Sequence, residues 1–201
     1  MGNVENLTLI KNIIEMSYKL RKIILLGLIL ILYIPVSNAQ SQKNLAGFVG
    51  YTDDGIATLF GFSYSFNDIK YDFLEASVYS GYLKERKTEY NVNVNVHSIN
   101  LGYFKRIEPL STLNGLVCTY VGIGGLLGKE SVNNGNNELP NGALITTKGG
   151  TIYGGFGAVQ ADLFISNRFH LLGRYTHFYH ANSEVGKSKF MIGLGLKYVI
   201  F

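Results

Sequence analysis

Hydrophobic and polar residues alternate one by one over much of the chain after residue 40. In the segment 55–66, every second residue from Ile56 to Phe66 belongs to a largely apolar and aromatic face. The last segment, 188–201, repeats the pattern, with glycines and Lys197 opposite its apolar face. Successive side chains of a β-strand point to opposite faces, so an alternation with a period of two predicts strands rather than helices.

Segments of this kind cover most of the chain beyond residue 43. They are 44–51, 55–66, 70–83, 90–105, 115–129, 150–165, 167–179 and 188–201. Most exceed the roughly five to six residues usual in soluble sheets and match the ~9–11 residues that a tilted strand needs to cross a membrane. Short turns at one end and longer loops at the other are typical of outer-membrane barrels. We therefore predict an all-β fold, an antiparallel up-and-down barrel of about eight strands with both termini at its periplasmic end.

A soluble secreted β-sandwich or lipocalin-like barrel is the alternative, because the same alternation can face a protein core instead of lipid. Two features favour the membrane barrel. The chain has 14 tyrosines and 12 phenylalanines, many of them on the apolar stripes. Charged residues are scarce within the predicted strands, whereas a soluble barrel would carry Lys and Glu on its outer face.

The fourth predicted strand changes phase along its length. The valines between positions 92 and 96 occupy one phase of the alternation, and the apolar residues from Ile99 onward occupy the other. A β-bulge near His97-Ser98 would reconcile the two halves by adding one residue. The other interpretation is that part of this strand stands outside the membrane.

Four charged residues fall on the face opposite the apolar stripe of their strands: Glu75, Asp162, Arg174 and Lys197. Charges that face lipid cost about 2–4 kcal/mol near the midplane, whereas charges inside a barrel can pair with one another. An eight-stranded barrel has a lumen just wide enough to hold side chains. We therefore predict that these four residues form a network of paired charges in the lumen and that no solute pore remains.

The N-terminal residues predict export. Basic residues between positions 19 and 22 precede an apolar run at 23–36, and Ser37-Asn-Ala39 supplies the small residues that a signal peptidase reads. We predict cleavage between Ala39 and Gln40. An uncleaved anchor is the alternative, although the apolar run is shorter than the ~20 residues of a spanning helix.

This cleavage divides the chain into an N-terminal extension with its signal peptide, 1–39, and a single barrel domain, 40–201. Met16 is a better start for the signal than Met1, since the residues before it fit no part of a signal peptide. The expected location is the outer membrane of a Gram-negative bacterium.

Charge argues against nucleic-acid binding. The chain carries 18 basic and 14 acidic residues, and removal of 1–39, with four basic and two acidic residues, lowers the net charge from +4 to +2. Nucleic-acid-binding domains instead cluster Lys and Arg on one face. The single cysteine, Cys118, excludes an intramolecular disulfide, and we interpret it as a packing residue.

Candidate catalytic chemistry is sparse. His177 and His180 lie three residues apart, which places them on opposite faces of a strand, so they cannot share a metal ion. The glycine-rich run Gly122–Gly128 resembles a phosphate loop only superficially, because a polar loop and another strand follow it instead of a helix. Ser131 lacks the flanking glycines of a nucleophile elbow. We predict no enzymatic activity, no cofactor and no metal site.

The segment from residue 122 to 155 carries the most specific sequence signal. It contains Glu130-Ser-Val-Asn133, Leu139-Pro-Asn-Gly-Ala143, Lys148 and Tyr153-Gly-Gly155, and Gly193-x-Gly195-x-Lys197 follows near the end. In order and spacing these motifs resemble the conjugative-transposon protein TraO family of the Bacteroides group. The resemblance covers residues 115–200 well and 45–105 loosely.

The resemblance implies a non-enzymatic outer-membrane component of a conjugative DNA-transfer apparatus, similar to type IV secretion, with a structural or assembly role. Its implied partners are outer-membrane lipid and other proteins of the apparatus, without direct contact to nucleic acid and with the oligomeric state open. The alternative is a small outer-membrane barrel, an adhesin or envelope protein, unrelated to conjugation.

The long loop around 130–149 is the segment that we predict to contact partner proteins. Loops on a rigid scaffold often carry recognition, and the motifs of the resemblance concentrate here. The candidate contact residues are Glu130, Asn133, Asn134, Leu139, Pro140 and Lys148.

Overall fold

Eight antiparallel strands, each hydrogen-bonded to the next, close into a barrel through pairing of the first with the last. The computed structural model of the 201-residue chain describes residues 42–65, 72–86, 91–111, 116–136 and 149–200. The strands are β1 (Gln42–Thr52), β2 (Gly55–Ser65), β3 (Phe73–Arg86), β4 (Asn91–Arg106), β5 (Val117–Val132), β6 (Gly149–Phe164), β7 (Phe169–His180) and β8 (Ser188–Ile200). The predicted all-β, up-and-down barrel is confirmed. No helix within the described ranges is long and apolar enough to span a membrane.

The two ends of the barrel differ in their connections. We call the end where β1 begins and β8 finishes the terminus end, since Lys43 lies opposite Ile200 there. The opposite end, which we call the loop end, has both the shortest and the longest connections. The terminus end carries 66–72, 107–116 and 165–168, and the loop end carries 53–54, 87–90, 133–148 and 181–187. The predicted separation of short turns from long loops is therefore only partial.

The outer face of the barrel is an apolar band. Its middle is formed by side chains such as Ile99, Ile123 and Leu194, which are 68%, 72% and 69% exposed. Half-exposed tyrosines flank the band near the loop end, and further aromatic residues flank it near the terminus end. The first group is Tyr51, Tyr82, Tyr153 and Tyr179, and the second includes Phe169 and Tyr198, whose ring centroids lie 5.3 Å apart. An apolar band between two aromatic belts is typical of a barrel that spans an outer membrane.

A charge placed in the middle of this band should be costly. Leu194→Arg is expected to lower the free energy of unfolding by about 2–4 kcal/mol in lipid bilayers, because the guanidinium would face hydrocarbon. Asn93→Arg, at an exposed outward position near the loop end, is the matched control and should cost less than about 1 kcal/mol. Urea unfolding in lipid vesicles measures both values, and equal costs would contradict a lipid-facing band.

The predicted bulge in the fourth strand is wrong. Residues of β3 and β4 pair one to one through this region, with His97 opposite Ser80 and Ser98 opposite Tyr79. Val92, Val94 and Val96 all point inward and are 5%, 1% and 1% exposed. The apolar residues of β4 change from inward positions to outward positions because the surroundings of the strand change along the barrel. Near the loop end β4 places its valines inward, whereas its outward residues become polar.

This inversion favours the interpretation that part of the fourth strand stands outside the membrane. Asn93 is exposed on the outer face of β4, and Lys84 lies opposite it on β3, also exposed. A strand that faced hydrocarbon at this height would not present an amide and an ammonium group outward. The strands therefore extend beyond the apolar band at the loop end.

Glycines inside the barrel make room for aromatic rings. A methyl group added at Gly122 would fall 2.5 Å from Cδ1 of Phe104, and one added at Gly102 would fall 2.6 Å from Cζ of Phe156. The same Phe156 ring lies against Gly124. Gly122 and Gly124 of β5 are thus explained by the close approach of rings to the backbone.

Candidate functional site

A salt bridge crosses the lumen from β3 to β7. Arg174 donates two hydrogen bonds to the Glu75 carboxylate, of 2.7 Å to Oε1 and 2.5 Å to Oε2. The two residues are only 5% and 3% exposed. Both are inward residues of their strands, as the alternation predicted. This bidentate geometry is the strongest form of an arginine–carboxylate contact, because two parallel hydrogen bonds fix the guanidinium plane relative to the carboxylate plane.

A second ion pair lies nearer the terminus end, and a glutamine joins it to the first. Lys197 of β8 pairs with Asp162 of β6. Gln160 accepts a 2.7 Å hydrogen bond from Nε of Arg174 and donates one of 2.6 Å to Oδ1 of Asp162. The structure therefore brings Glu75, Arg174, Asp162 and Lys197 into one chain of contacts. Sequence reasoning missed Gln160, although its position two residues before Asp162 places it on the same inward face.

Aromatic rings enclose the charges of this chain. The guanidinium carbon of Arg174 lies 4.4 Å from the centre of the Phe48 ring and 4.8 Å from that of Phe104. Nζ of Lys197 lies 5.8 Å from the centre of the Tyr120 ring. Cations over ring faces gain electrostatic stabilisation, more so when they are desolvated. Charged and aromatic side chains together occupy the cross-section of the lumen.

Glu130 does not belong to an exposed contact loop, contrary to the prediction. It is an inward residue of β5, which continues to Val132, and it is 1% exposed. The hydroxyl of Ser183, in the connection between β7 and β8, lies 3.0 Å and 2.9 Å from its two carboxylate oxygens. Because the strand is longer than predicted, the side chain lies inside the barrel mouth, where it anchors the 181–187 connection.

The other predicted contact residues have mixed outcomes. Asn133 follows β5 directly, in a short 3-10 turn over Asn133–Gly135, with a φ of 47°. Its side-chain amide donates a 3.1 Å hydrogen bond to the carbonyl of Asn136, which stabilises the turn. The side chain of Asn134 lies outside the described residues, as do Leu139, Pro140, Lys148 and the predicted cleavage site at Ala39 and Gln40.

His177 and His180 of β7 lie on opposite faces, as their spacing predicted. His177 is exposed on the outer face, with Nε2 lying 3.1 Å from the hydroxyl of Ser188, whereas His180 is inward and 1% exposed. His97, on the outer face of β4, lies 3.0 Å from the hydroxyl of Ser80. Within the described ranges, no group of histidine, cysteine or acidic residues is arranged to hold a metal ion.

An open cleft of about 490 Å³ lies at the loop end, between the β1–β2 turn and the start of β8. Tyr51, Asp53, Lys84 and Lys189 contribute to its walls. Burial raises the pKa of the Asp53 carboxyl above its usual value, and this effect exceeds the opposing influence of the hydrogen bond from the Phe190 amide and of Lys189. The described residues that line the cleft are of mixed charge, with Asp53 and Asp54 beside Lys84 and Lys189.

Comparison with protein families identifies the chain. A family model described as "Conjugative transposon protein TraO" matches residues 40–200, almost the whole of the predicted mature part. The chain belongs to the TraO family. The resemblance that the motifs between residues 115 and 200 predicted is confirmed, and the match also covers the first half of the TraO barrel. No curated protein sequence matches the chain.

Three solved structures similar to this TraO-family barrel are outer-membrane proteins. Neisserial surface protein A has a TM-score of 0.54 at 14% identity, covering 79% of this chain and 94% of that one. A major outer membrane protein from Thermus thermophilus has a TM-score of 0.55 at 10% identity, covering 80% and 99%. Ail, the attachment invasion locus protein of Yersinia pestis, in complex with the heparin analogue sucrose octasulfate, has a TM-score of 0.50 at 12% identity, covering 80% and 98%. At these identities the likeness concerns the fold alone.

Proposed function

We propose that this TraO-family protein is a non-enzymatic outer-membrane component of the conjugative DNA-transfer apparatus, a machine similar to type IV secretion, with a structural or assembly role. The observation that carries the proposal is the family match over residues 40–200, which coincides with a complete membrane-type barrel. The apolar band and its aromatic belts support a position in the outer membrane.

The filled lumen supports anchoring rather than conduction. The Glu75–Arg174 pair crosses the lumen, with rings of Phe48 and Phe104 packed against it. An eight-stranded barrel holds side chains in its lumen and leaves no channel of the width of DNA. The protein would therefore act by fixing the apparatus in the membrane or by contacting its other subunits.

We expect the two ends of the barrel to meet different partners. With the terminus end in the periplasm, as is general for outer-membrane barrels, the loop end faces outward. The 133–148 connection, the longest between two strands, belongs to that end, and it remains the predicted contact segment, although residues 137–148 lie outside the described ranges. Periplasmic subunits of the apparatus would meet the terminus end.

Deletion of the gene in a donor strain tests the function. We expect conjugative transfer to fall by several orders of magnitude and to return when the intact gene is supplied in trans. In the matched control, the deletion strain receives in trans a gene for the Arg174→Leu/Glu75→Leu variant, which replaces the lumen pair but keeps the surface of the barrel. This variant should also restore transfer, because the role proposed here depends on the outer surface and ends of the barrel.

Unchanged transfer after deletion would contradict the proposal. It would favour the second candidate, a small outer-membrane barrel that serves as an adhesin or envelope protein. That candidate is favoured by the fold shared with Ail, whose name describes attachment and invasion. Binding of donor cells to host surfaces, measured with and without the gene, would then be the next experiment.

A further inference from the structure

The barrel wall has a gap at the loop end, above the shortest connection between two strands. Only residues 53 and 54 join β1 to β2, whereas β3 and β8, the strands on either side of this hairpin, extend further toward the loop end. The gap is two strands wide, which corresponds to roughly 14 Å between β8 and β3 along the wall. We call this gap the notch. Residues from both of its sides line the open cleft of about 490 Å³.

One side of the notch is a free edge of β3. The last residue of β3 with a partner on β2 is Tyr82, opposite Ile56, and β3 continues to Arg86. A methyl group added at Gly55 would collide with the carbonyl oxygen of Tyr82, so this carbonyl points at β2. Backbone groups of an antiparallel strand point alternately to its two neighbours, so those of Lys84 point into the notch. Among the described residues, no backbone hydrogen bond reaches Lys84 on this side.

The other side of the notch is the start of β8. The first residue of β8 with a partner on β1 is Met191, opposite Thr52, whereas the strand begins at Ser188. Side chains of the short hairpin satisfy the backbone of Phe190, because Thr52 Oγ1 donates a 2.5 Å hydrogen bond to its carbonyl and Asp53 Oδ2 accepts one of 3.4 Å from its amide. By the same alternation, the backbone groups of Ser188 point into the notch.

A comparable overhang of β6 is covered by the chain itself. β6 pairs with β7 only from Gly154 onward, so its first residues extend beyond the end of β7. There the side-chain amide of Asn182 accepts a 3.0 Å hydrogen bond from the amide of Tyr153 and donates one of 2.7 Å to the carbonyl of Thr151. Within the described ranges, no side chain forms such hydrogen bonds with the backbone of Lys84. The free edge of β3 is therefore open to another strand.

The notch also has an apolar base. The buried residues Leu83 and Val94 line the cleft together with Val185, which packs against the hydrophobic core. The other described lining residues include both charges, with Asp53 and Lys84 among them. A strand added here would direct alternate side chains inward and outward, so its apolar residues would meet the base while its polar residues face water.

From this geometry we infer that the notch binds an extended segment of a partner protein, which adds a strand to the free edge of β3. The segment would alternate apolar and polar residues and would carry no proline at the paired position, because its own N–H and C=O groups must pair with those of Lys84. Lipid offers no such row of alternating donors and acceptors, and Lys84 lies beyond the apolar band. The inference rests on the proposed function, which supplies a partner at this end.

Binding is tested with the protein purified from membranes in detergent micelles. The probe is the pentapeptide N-acetyl-Thr-Val-Thr-Val-Thr-amide, and the readout is hydrogen exchange of the Lys84 amide followed by NMR. Lys84 faces outward, so its partner in an added strand is also an outward residue, here the central threonine of the probe. The matched control is the same peptide with that threonine N-methylated.

We expect the probe to slow exchange of the Lys84 amide in a saturable manner. The N-methylated peptide should bind at least about fivefold more weakly, since it loses one main-chain hydrogen bond. Equal affinities of the two peptides, or no saturable protection of the Lys84 amide, would overturn the inference.

A proline variant tests the same contact from the side of the protein. Lys84→Pro removes the N–H group that faces the notch but no hydrogen bond to β4, because the backbone groups of this residue point away from β4. It should weaken binding of the probe at least about fivefold, whereas Lys84→Gln, which keeps the N–H group, should not. Gel mobility before and after boiling shows whether both variants fold. Binding that a folded Lys84→Pro barrel retains in full would place the peptide elsewhere and reject the notch.

The oligomeric state in detergent distinguishes a partner protein from a second copy of this chain. A dimer that Lys84→Pro converts to a monomer would assign the notch to a second copy and contradict a separate partner. A monomer that binds the probe supports the inference.

Transfer assays separate failure of the notch from failure of the proposed function. If the gene is required for transfer but the probe does not bind, the function stands and the notch is wrong. If the probe binds but deletion leaves transfer unchanged, the notch stands and the conjugative role is wrong. If both hold, donors that carry Lys84→Pro should transfer less than donors that carry Lys84→Gln at equal barrel abundance.

Discussion

Arg174→Leu should lower the free energy of unfolding by about 3–5 kcal/mol, the usual cost of leaving one charge of a buried pair without its partner. The Glu75 carboxylate is 3% exposed and receives both of its charge-assisted hydrogen bonds from Arg174. Without the guanidinium it must stay charged in a desolvated site or become protonated. The variant also loses the cation that lies between the rings of Phe48 and Phe104.

The measurement is urea unfolding followed by far-ultraviolet circular dichroism, because the chain has no tryptophan to report by fluorescence. The double variant Glu75→Leu/Arg174→Leu should recover most of the loss, since apolar replacement of both partners is often neutral. Lys105→Gln, an exposed charge outside the lumen, is the control and should stay within about 0.5 kcal/mol of the parent. A double variant as unstable as Arg174→Leu would mean that the cavity, not the charge, dominates.

Two adjacent glycines of β5 should differ in how much stability the barrel loses when a larger residue replaces them. A methyl group added at Gly124 would fall 2.5 Å from Cε1 of Phe156 and still closer to the carbonyl oxygen of Leu101. At Gly125, on the outer face, the nearest atom would be 3.8 Å away. Gly124→Val is therefore expected to destabilise the barrel by at least about 1–3 kcal/mol through overpacking.

Gly125→Ala should change the stability by less than about 0.5 kcal/mol, or raise it slightly, since glycine weakens a strand. Gel mobility before and after boiling gives the folded fraction of each variant, and urea unfolding gives the free energy. Similar losses at the two positions would show that the glycines are needed for backbone conformation rather than for ring space. Phe156→Ala combined with Gly124→Val relieves only the contact with the ring, so comparison with Phe156→Ala alone shows how much of the loss comes from the contact with the Leu101 carbonyl.

The alternation of side chains was enough to predict the strands and their inward faces. Glu75 and Arg174 are 99 residues apart in sequence, yet each could be placed inside the barrel because it opposes an apolar stripe. Nothing in the sequence pairs them specifically, since the partner of a lumen charge depends on which strands face each other across the closed barrel. The link through Gln160 depends on that geometry as well.

The errors of prediction share a physical cause. A period of two tells which residues share a face, but it does not tell which face is apolar at a given position along the barrel axis. Near the loop end the interior takes up Val92, Val94 and Val96 and the outside becomes polar, so an unbroken strand was interpreted as bulged. Glu130 was assigned to a loop for a related reason, because strand ends beyond the membrane lose the apolar signal that marks them.

The pairing of β1 with β8 has a consequence for biogenesis. Lys43 meets Ile200, so the ring is sealed only by the last strand to be synthesised. Until then the nascent chain carries two open strand edges and an apolar outer surface, both of which invite aggregation. A chain of this design is therefore most exposed to aggregation before β8 pairs with β1. Truncation by even a few residues at that strand should therefore be more harmful than a comparable deletion in any loop.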